Sequence, residues 1–86
     1  MDADERLLSR LRSTRRNWTH RDLGKLLATA GFRAREGPHT MYSHSVYTDV
    51  QVNIPRSDPV PPVYAQRVLR ALEEVSRREA ESKERQ

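Results

Sequence analysis

The 86 residues include no cysteine. That excludes a disulfide staple, a thiolate nucleophile and a zinc site built on cysteine, and it fits a reducing compartment. Long apolar runs are missing too. The opening MDADERLLSRLRS interleaves its leucines with charge, which is the pattern of neither a signal peptide nor a membrane span. A cytoplasmic protein with no membrane partner is expected. No internal repeat or low-complexity tract is visible, and the glycine-rich phosphate loop, the G-x-S-x-G elbow and the H-E-x-x-H helix are all absent. Nucleotide hydrolase, serine hydrolase and zincin chemistry therefore have no residues to rest on. Lysine is scarce: of 16 basic residues, 14 are arginine, the side chain suited to bidentate phosphate contacts.

What is present is one small domain, since a chain of this length buries only roughly 60% of its unfolded surface and has no material for a second core. The net charge of +4 is unevenly spread: residues 1–35 hold nine basic residues against four acids, and the middle of the chain is slightly acidic. Such a surplus points to a polyanionic partner, and it also serves plain solubility.

Thr19 is a candidate N-cap with Asp22 three residues on, and Trp18 and Leu23 are spaced as a hydrophobic staple. Leu23, Leu26, Leu27 and Ala30 continue the apolar stripe, and Gly31 supplies a left-handed stop, predicting a helix over 19–30. Leu7, Leu8 and Leu11 mark a shorter helix before it, with STRRN as an exposed basic turn. After Gly31 the period changes. Phe32 to Arg35 reads as a strand, Glu36-Gly37-Pro38 as a break, and Thr40 to Tyr47 as a half-buried strand. Val50, Val52 and Ile54 alternate with polar residues in the cleanest strand of the chain. PRSDPVPP is an extended connector whose last proline suits the first turn of a helix striped by Ala65, Val68, Leu69, Leu72 and Val75. The compact domain is expected over residues 1–76, with 77–86 a charged, fraying tail. The predicted architecture is α+β: a three-stranded antiparallel meander with helices on one face, and an α-β-β-β-α order like that of a double-stranded-RNA-binding domain behind an extra short N-terminal helix.

Of three histidines, His39 and His44 lie five apart across a strand and face opposite ways, while His20 opens a distant helix. They do not make a metal site, and no metal or cofactor is expected. His20 reads as a surface group and His44 as a strand-surface histidine. His39 follows a Gly-Pro turn at the start of a strand, where a ring that titrates near neutrality can move protons. RNA cleavage asks little more. A ribose 2′-hydroxyl attacks its own phosphodiester while cations, here Arg33, Arg35 and Arg56, steady the charge. The competing reading is an exposed turn histidine among solvated arginines. Tyr42 is a candidate base-stacking residue, or packing on an edge strand.

The segments DLGKLLATAGFRAREGPHTMYSH and VNIPRSDPVPPVYAQRVLRALEE resemble the HicA-type mRNA interferase toxins. Those are small proteins with a leucine-rich helix ending in Gly-Phe and a Gly-Ser-His motif before an apolar-aromatic strand. A strand ending in Ile-Pro-Arg and a C-terminal helix opening near Y-x-x-x-x-L complete the pattern. The resemblance spans residues 7–75. It implies a double-stranded-RNA-binding-like fold, metal-independent cleavage of mRNA, and neutralisation by a HicB-type antitoxin covering the site. The motif histidine falls on His39, with Gly37 before it and Tyr42 after it. Pro38 stands where the motif has serine, removing a hydroxyl and an amide donor. Glu36 stands where a basic residue is usual, and an acid there opposes phosphate binding. The expected function is an endoribonuclease toxin with His39 as general acid or base. The alternatives are a non-catalytic RNA-binding module of the same fold and a protein-interaction domain receiving a partner over the histidine edge.

Overall fold

Thr19 caps a helix as the sequence predicts in the computed structural model, which describes residues 3–84. Thr19 is extended, and its hydroxyl accepts the Asp22 N–H at 3.1 Å. This satisfies one of the orphan donors of helix α2 (His20–Thr29), and the Asp22 carboxylate sits at the positive end of the helix dipole. Leu23, Leu26 and Leu27 are buried along one stripe, and the chain leaves the helix through Gly31 at φ 95°. Helix α1 (Ala3–Ser13) buries Leu11 and packs on α2.

The basic connector between them is built into the structure. Arg15 donates to the carbonyls of Leu11 and Arg12 at 3.1 and 2.8 Å, closing the end of α1. Asn17 takes the left-handed conformation, φ 62°, which turns the chain into fully buried Trp18. The Trp18 indole N–H donates to Thr14 O at 2.9 Å, and the Arg10 guanidinium lies 4.3 Å above its ring.

Strands β1 (Phe32–Arg35), β2 (Thr40–His44) and β3 (Gln51–Ile54) form an antiparallel meander in the order β1-β2-β3. The fold is therefore α+β, with three helices and a three-stranded sheet. The second strand is shorter than its composition suggests. It stops at His44 because the backbone N–H groups of Val46 and Tyr47 both bond to the His44 ring and bend the chain away from the ladder.

The face of the sheet that carries Phe32, Thr40, Tyr42, His44, Val52 and Ile54 is buried under the helices, with α2 against β1 and α3 (Pro62–Glu84) against β3. Cross-strand rows Arg33–Ser43–Gln51 and Arg35–Met41–Asn53 make up the other face, exposed on its two outer strands and half-buried on β2. The proline-rich connector runs past α2. Val60 is buried, and its N–H donates to Trp18 O at 2.7 Å.

Helix α3 continues without a break to Glu84, through most of the segment expected to fray; residues 85 and 86 lie outside the described part. The cause is charge spaced one turn apart: Arg77 pairs with Glu74 and Glu81, and Arg78 with Glu74. Arg78 also reaches Asp49 in the β2–β3 turn with two bonds of 2.7 and 2.8 Å, tying the distal helix to the sheet. Among the described residues no helix is long and apolar enough to cross a membrane.

Candidate functional site

The turn from Glu36 to His39 joins β1 to β2 and is exposed throughout. His39 stands one residue ahead of β2, and its ring takes part in no hydrogen bond among the described residues. Register holds the surroundings in place. Thr40 pairs with Ile54 at the end of β3, so Arg56, two residues farther on, returns beside the turn. Its guanidinium pairs with the Glu36 carboxylate and reaches Gly37 O at 3.5 Å. Arg35, opposite Met41, is on the open face at the same end of the sheet, and Arg33 is one row farther along, opposite Ser43. His39, Gly37, Arg35 and Arg56 are thus gathered at one sheet end, with Arg33 next along the face.

Tyr42 does not join them. It lies on the central strand rather than an edge, is buried on the helix side, and directs its hydroxyl at α2, where a Cβ on Gly24 would come within 2.4 Å of it. Burial pushes its hydroxyl pKa up, with a further push from the Glu36 carboxylate opposed by Arg56. A ring sealed against a helix offers no face to a base, so the stacking role expected for Tyr42 is withdrawn.

His44 is likewise not a strand-surface residue. It is 6% exposed, and every polar atom of its ring is used. Nδ1 accepts from Val46 N and Tyr47 N, both at 3.1 Å, so the proton is on Nε2, which donates to Ala30 O at 3.1 Å. Phe32 meets the ring edge-on and Tyr47 stacks on it, each with centroids 5.1 Å apart. This histidine staples the β2–β3 turn to the end of α2.

One feature of the histidine turn was hidden in the sequence. His20, expected at the surface, is half-buried, and its Nε2 lies 3.0 Å from the Thr40 hydroxyl. Thr40 is 1% exposed and donates to Glu36 Oε1 at 3.3 Å, so its oxygen accepts from a proton on His20 Nε2. A chain of contacts therefore runs His20–Thr40–Glu36–Arg56 around the base of the turn. The only sign in the sequence is the polar residue at the core-facing start of β2, where the strand pattern asks for an apolar one. His20 itself is fixed by the connector, since its backbone N–H donates to Asp58 Oδ1 at 2.8 Å.

The arginine surplus divides in the same way. Arg10, Arg15, Arg56, Arg77 and Arg78 are engaged within the fold. Arg33 and Arg35 are exposed without a carboxylate partner among the described residues. No group of three histidine, aspartate or glutamate side chains converges as a metal site among those residues. No family model, curated protein or solved structure matches the chain.

Proposed function

We propose that the chain is an mRNA interferase toxin of the HicA type, cleaving RNA without a metal in the cytoplasm and restrained by a HicB-type antitoxin. The observation that carries this reading is the free ring of His39 on a turn clasped by Glu36 and Arg56, at the end of a sheet face bearing Arg33 and Arg35. The elements α2-β1-β2-β3-α3 follow the order of a double-stranded-RNA-binding domain, with α1 as an addition.

In the proposed reaction the imidazole of His39 takes the proton of a ribose 2′-hydroxyl as that oxygen attacks the adjacent phosphorus. The bond from phosphorus to the 5′-oxygen breaks, the leaving oxygen takes a proton from the imidazolium, and a 2′,3′-cyclic phosphate remains. Arg35 and Arg56 stabilise the charge gathered on the phosphorane oxygens, and Arg33 holds the strand along the open face. Gly37 leaves the backbone of the turn open to a phosphate.

The test is purified protein and His39→Ala incubated with RNA in chelator, with ends identified chemically. Wild type should leave cyclic-phosphate ends, and the variant should lose about 10²- to 10⁴-fold in rate. Equal cleavage by the variant overturns the role of His39, and loss of wild-type cleavage in chelator overturns the metal-free step. The second reading, a non-catalytic RNA-binding module, is favoured by one observation: Arg56 already pairs with Glu36, which lowers the positive charge beside His39. Intact RNA with salt-sensitive binding unchanged by His39→Ala is its signature.

A further inference from the structure

The sheet has two outer edges, on β1 and β3, and the β3 edge lies beside unpaired cations of α3. His44 N–H donates to Val50 O at 3.1 Å, and the ladder continues from there through Tyr42–Val52 and Thr40–Ile54. In an antiparallel ladder alternate residues bond to opposite sides, so Val50, Val52 and Ile54 direct their backbone groups at β2. Gln51 and Asn53 then turn their N–H and C=O groups outward. Such an edge is a template for another strand unless something covers it.

Here a groove of about 580 Å³ runs along it, with Gln51, Val52 and Asn53 on one side and Arg67, Arg70 and Ala71 of α3 on the other. One end is bounded by the Arg78–Asp49 clasp. Arg67 and Arg70 are exposed and have no carboxylate partner among the described residues; Arg67 rests 5.2 Å from the Tyr64 ring. Their charge decides what can occupy the edge. Glu74 also lines the groove but is paired with Arg77 and Arg78, so the unpaired charges there, Arg67 and Arg70, are positive and disfavour a second copy that carries the same ones. An acidic strand meets the opposite condition.

We propose that the outer edge of β3 receives, as a fourth strand, an extended acidic segment of a partner protein. Its backbone pairs with Gln51 and Asn53, and carboxylates at every second position pair with Arg67 and Arg70, because strand side chains alternate. The site involves neither His39 nor its turn and stands whether or not the chain cleaves RNA.

The probe is a short synthetic peptide alternating glutamate and threonine, titrated into the isotope-labelled full chain. The amides of Gln51 and Asn53 should gain protection from hydrogen exchange, in a manner weakened by salt. The double variant Arg67→Glu, Arg70→Glu should bind it about tenfold more weakly or worse, and should take up a lysine-threonine peptide instead. Both side chains are exposed, so circular dichroism should show an unchanged fold. No protection at millimolar peptide, or equal affinity in the double variant, overturns the proposal. Protection that rises with protein concentration in the absence of peptide overturns it in favour of self-association. An RNA oligonucleotide that displaces the peptide and shifts Arg67 and Arg70 without protecting Gln51 and Asn53 reassigns the patch to nucleic acid.

Discussion

Strand β2 begins one residue after His39 and ends on His44, and the two turns flanking it treat their histidines in opposite ways. In the β2–β3 turn the imidazole is structural: two amides and a carbonyl use both ring nitrogens, and two aromatic rings enclose it. In the β1–β2 turn the imidazole is left in solvent, and the structural work passes to Glu36, Arg56, Thr40 and His20. A ring nitrogen bonded within the fold is withdrawn from proton transfer to a substrate; His44 has both so bonded, and His39 has neither among the described residues. That difference, rather than the clustering of histidines, singles out His39.

The comparison is broken most severely at His44. Replacing it with alanine leaves Val46 N–H, Tyr47 N–H and Ala30 C=O without their partner and opens a void between Phe32 and Tyr47. A loss of about 3 kcal/mol in urea unfolding is expected, and a loss below about 0.5 kcal/mol would mean that water replaces the ring at no cost. Next in size is Gly31→Ala. Gly31 has φ 95°, and a Cβ there would sit 3.0 Å from His44 Nε2. The strain and the contact together should cost about 1–2 kcal/mol. In the His44→Ala background the contact disappears while the φ strain stays, so the double-mutant cycle separates the two.

These two residues also show what could be read from the sequence. Gly31 was legible as a helix stop because one backbone conformation there favours glycine, and Thr19, Asp22 and Pro62 were legible for similarly local reasons. The role of His44 was not, because it depends on which strand face meets a helix and on a carbonyl 14 residues away. Tyr42 was misplaced for the same reason: the expected meander already makes its strand central, but the strand pattern does not say that its face is the one the helices cover. The continuation of α3 rests partly on Arg78 finding Asp49 at a separation of 29 residues, which no periodicity within the helix reveals. At the candidate site, Arg56 and Gly37 come together through strand register, whereas the His20–Thr40 contact joins two elements whose docking the local pattern leaves open.

At the other turn the same changes should barely affect stability. His39→Ala should unfold within about 0.5 kcal/mol of wild type, because the ring is exposed and unbonded. Glu36→Gln breaks an ion pair whose side chains are 50% and 70% exposed, so its cost should also stay within about 0.5 kcal/mol. Its effect on RNA is the informative one. With Arg56 released from its carboxylate, RNA affinity should rise and the salt slope steepen by about one unit. An unchanged slope would show that Arg56 does not contact phosphate.

The smallest expected effect is a local response to acid in the β2–β3 turn. Hydrogen bonds from Arg78 hold the Asp49 carboxyl below its ordinary range, and those from Arg77 and then Arg78 do the same for Glu74. A carboxyl whose folded pKa is depressed contributes stability above its unfolded value, and that contribution fades as pH falls through the folded value. Both groups are open to solvent, so the consequence is local loosening rather than global unfolding. Below the usual carboxylate range the Arg78 clasp should release. The Val50 amide, bonded to Tyr47 O at 2.9 Å, and the amides of residues 77–84 should then lose protection together, exchanging faster relative to the intrinsic rate at that pH. Asp49→Asn should produce that faster exchange in the turn already at neutral pH and remove its Asp49-dependent acid response. If the turn keeps its protection in the variant, the His44 ring alone holds it, and the ion pair anchors only the helix.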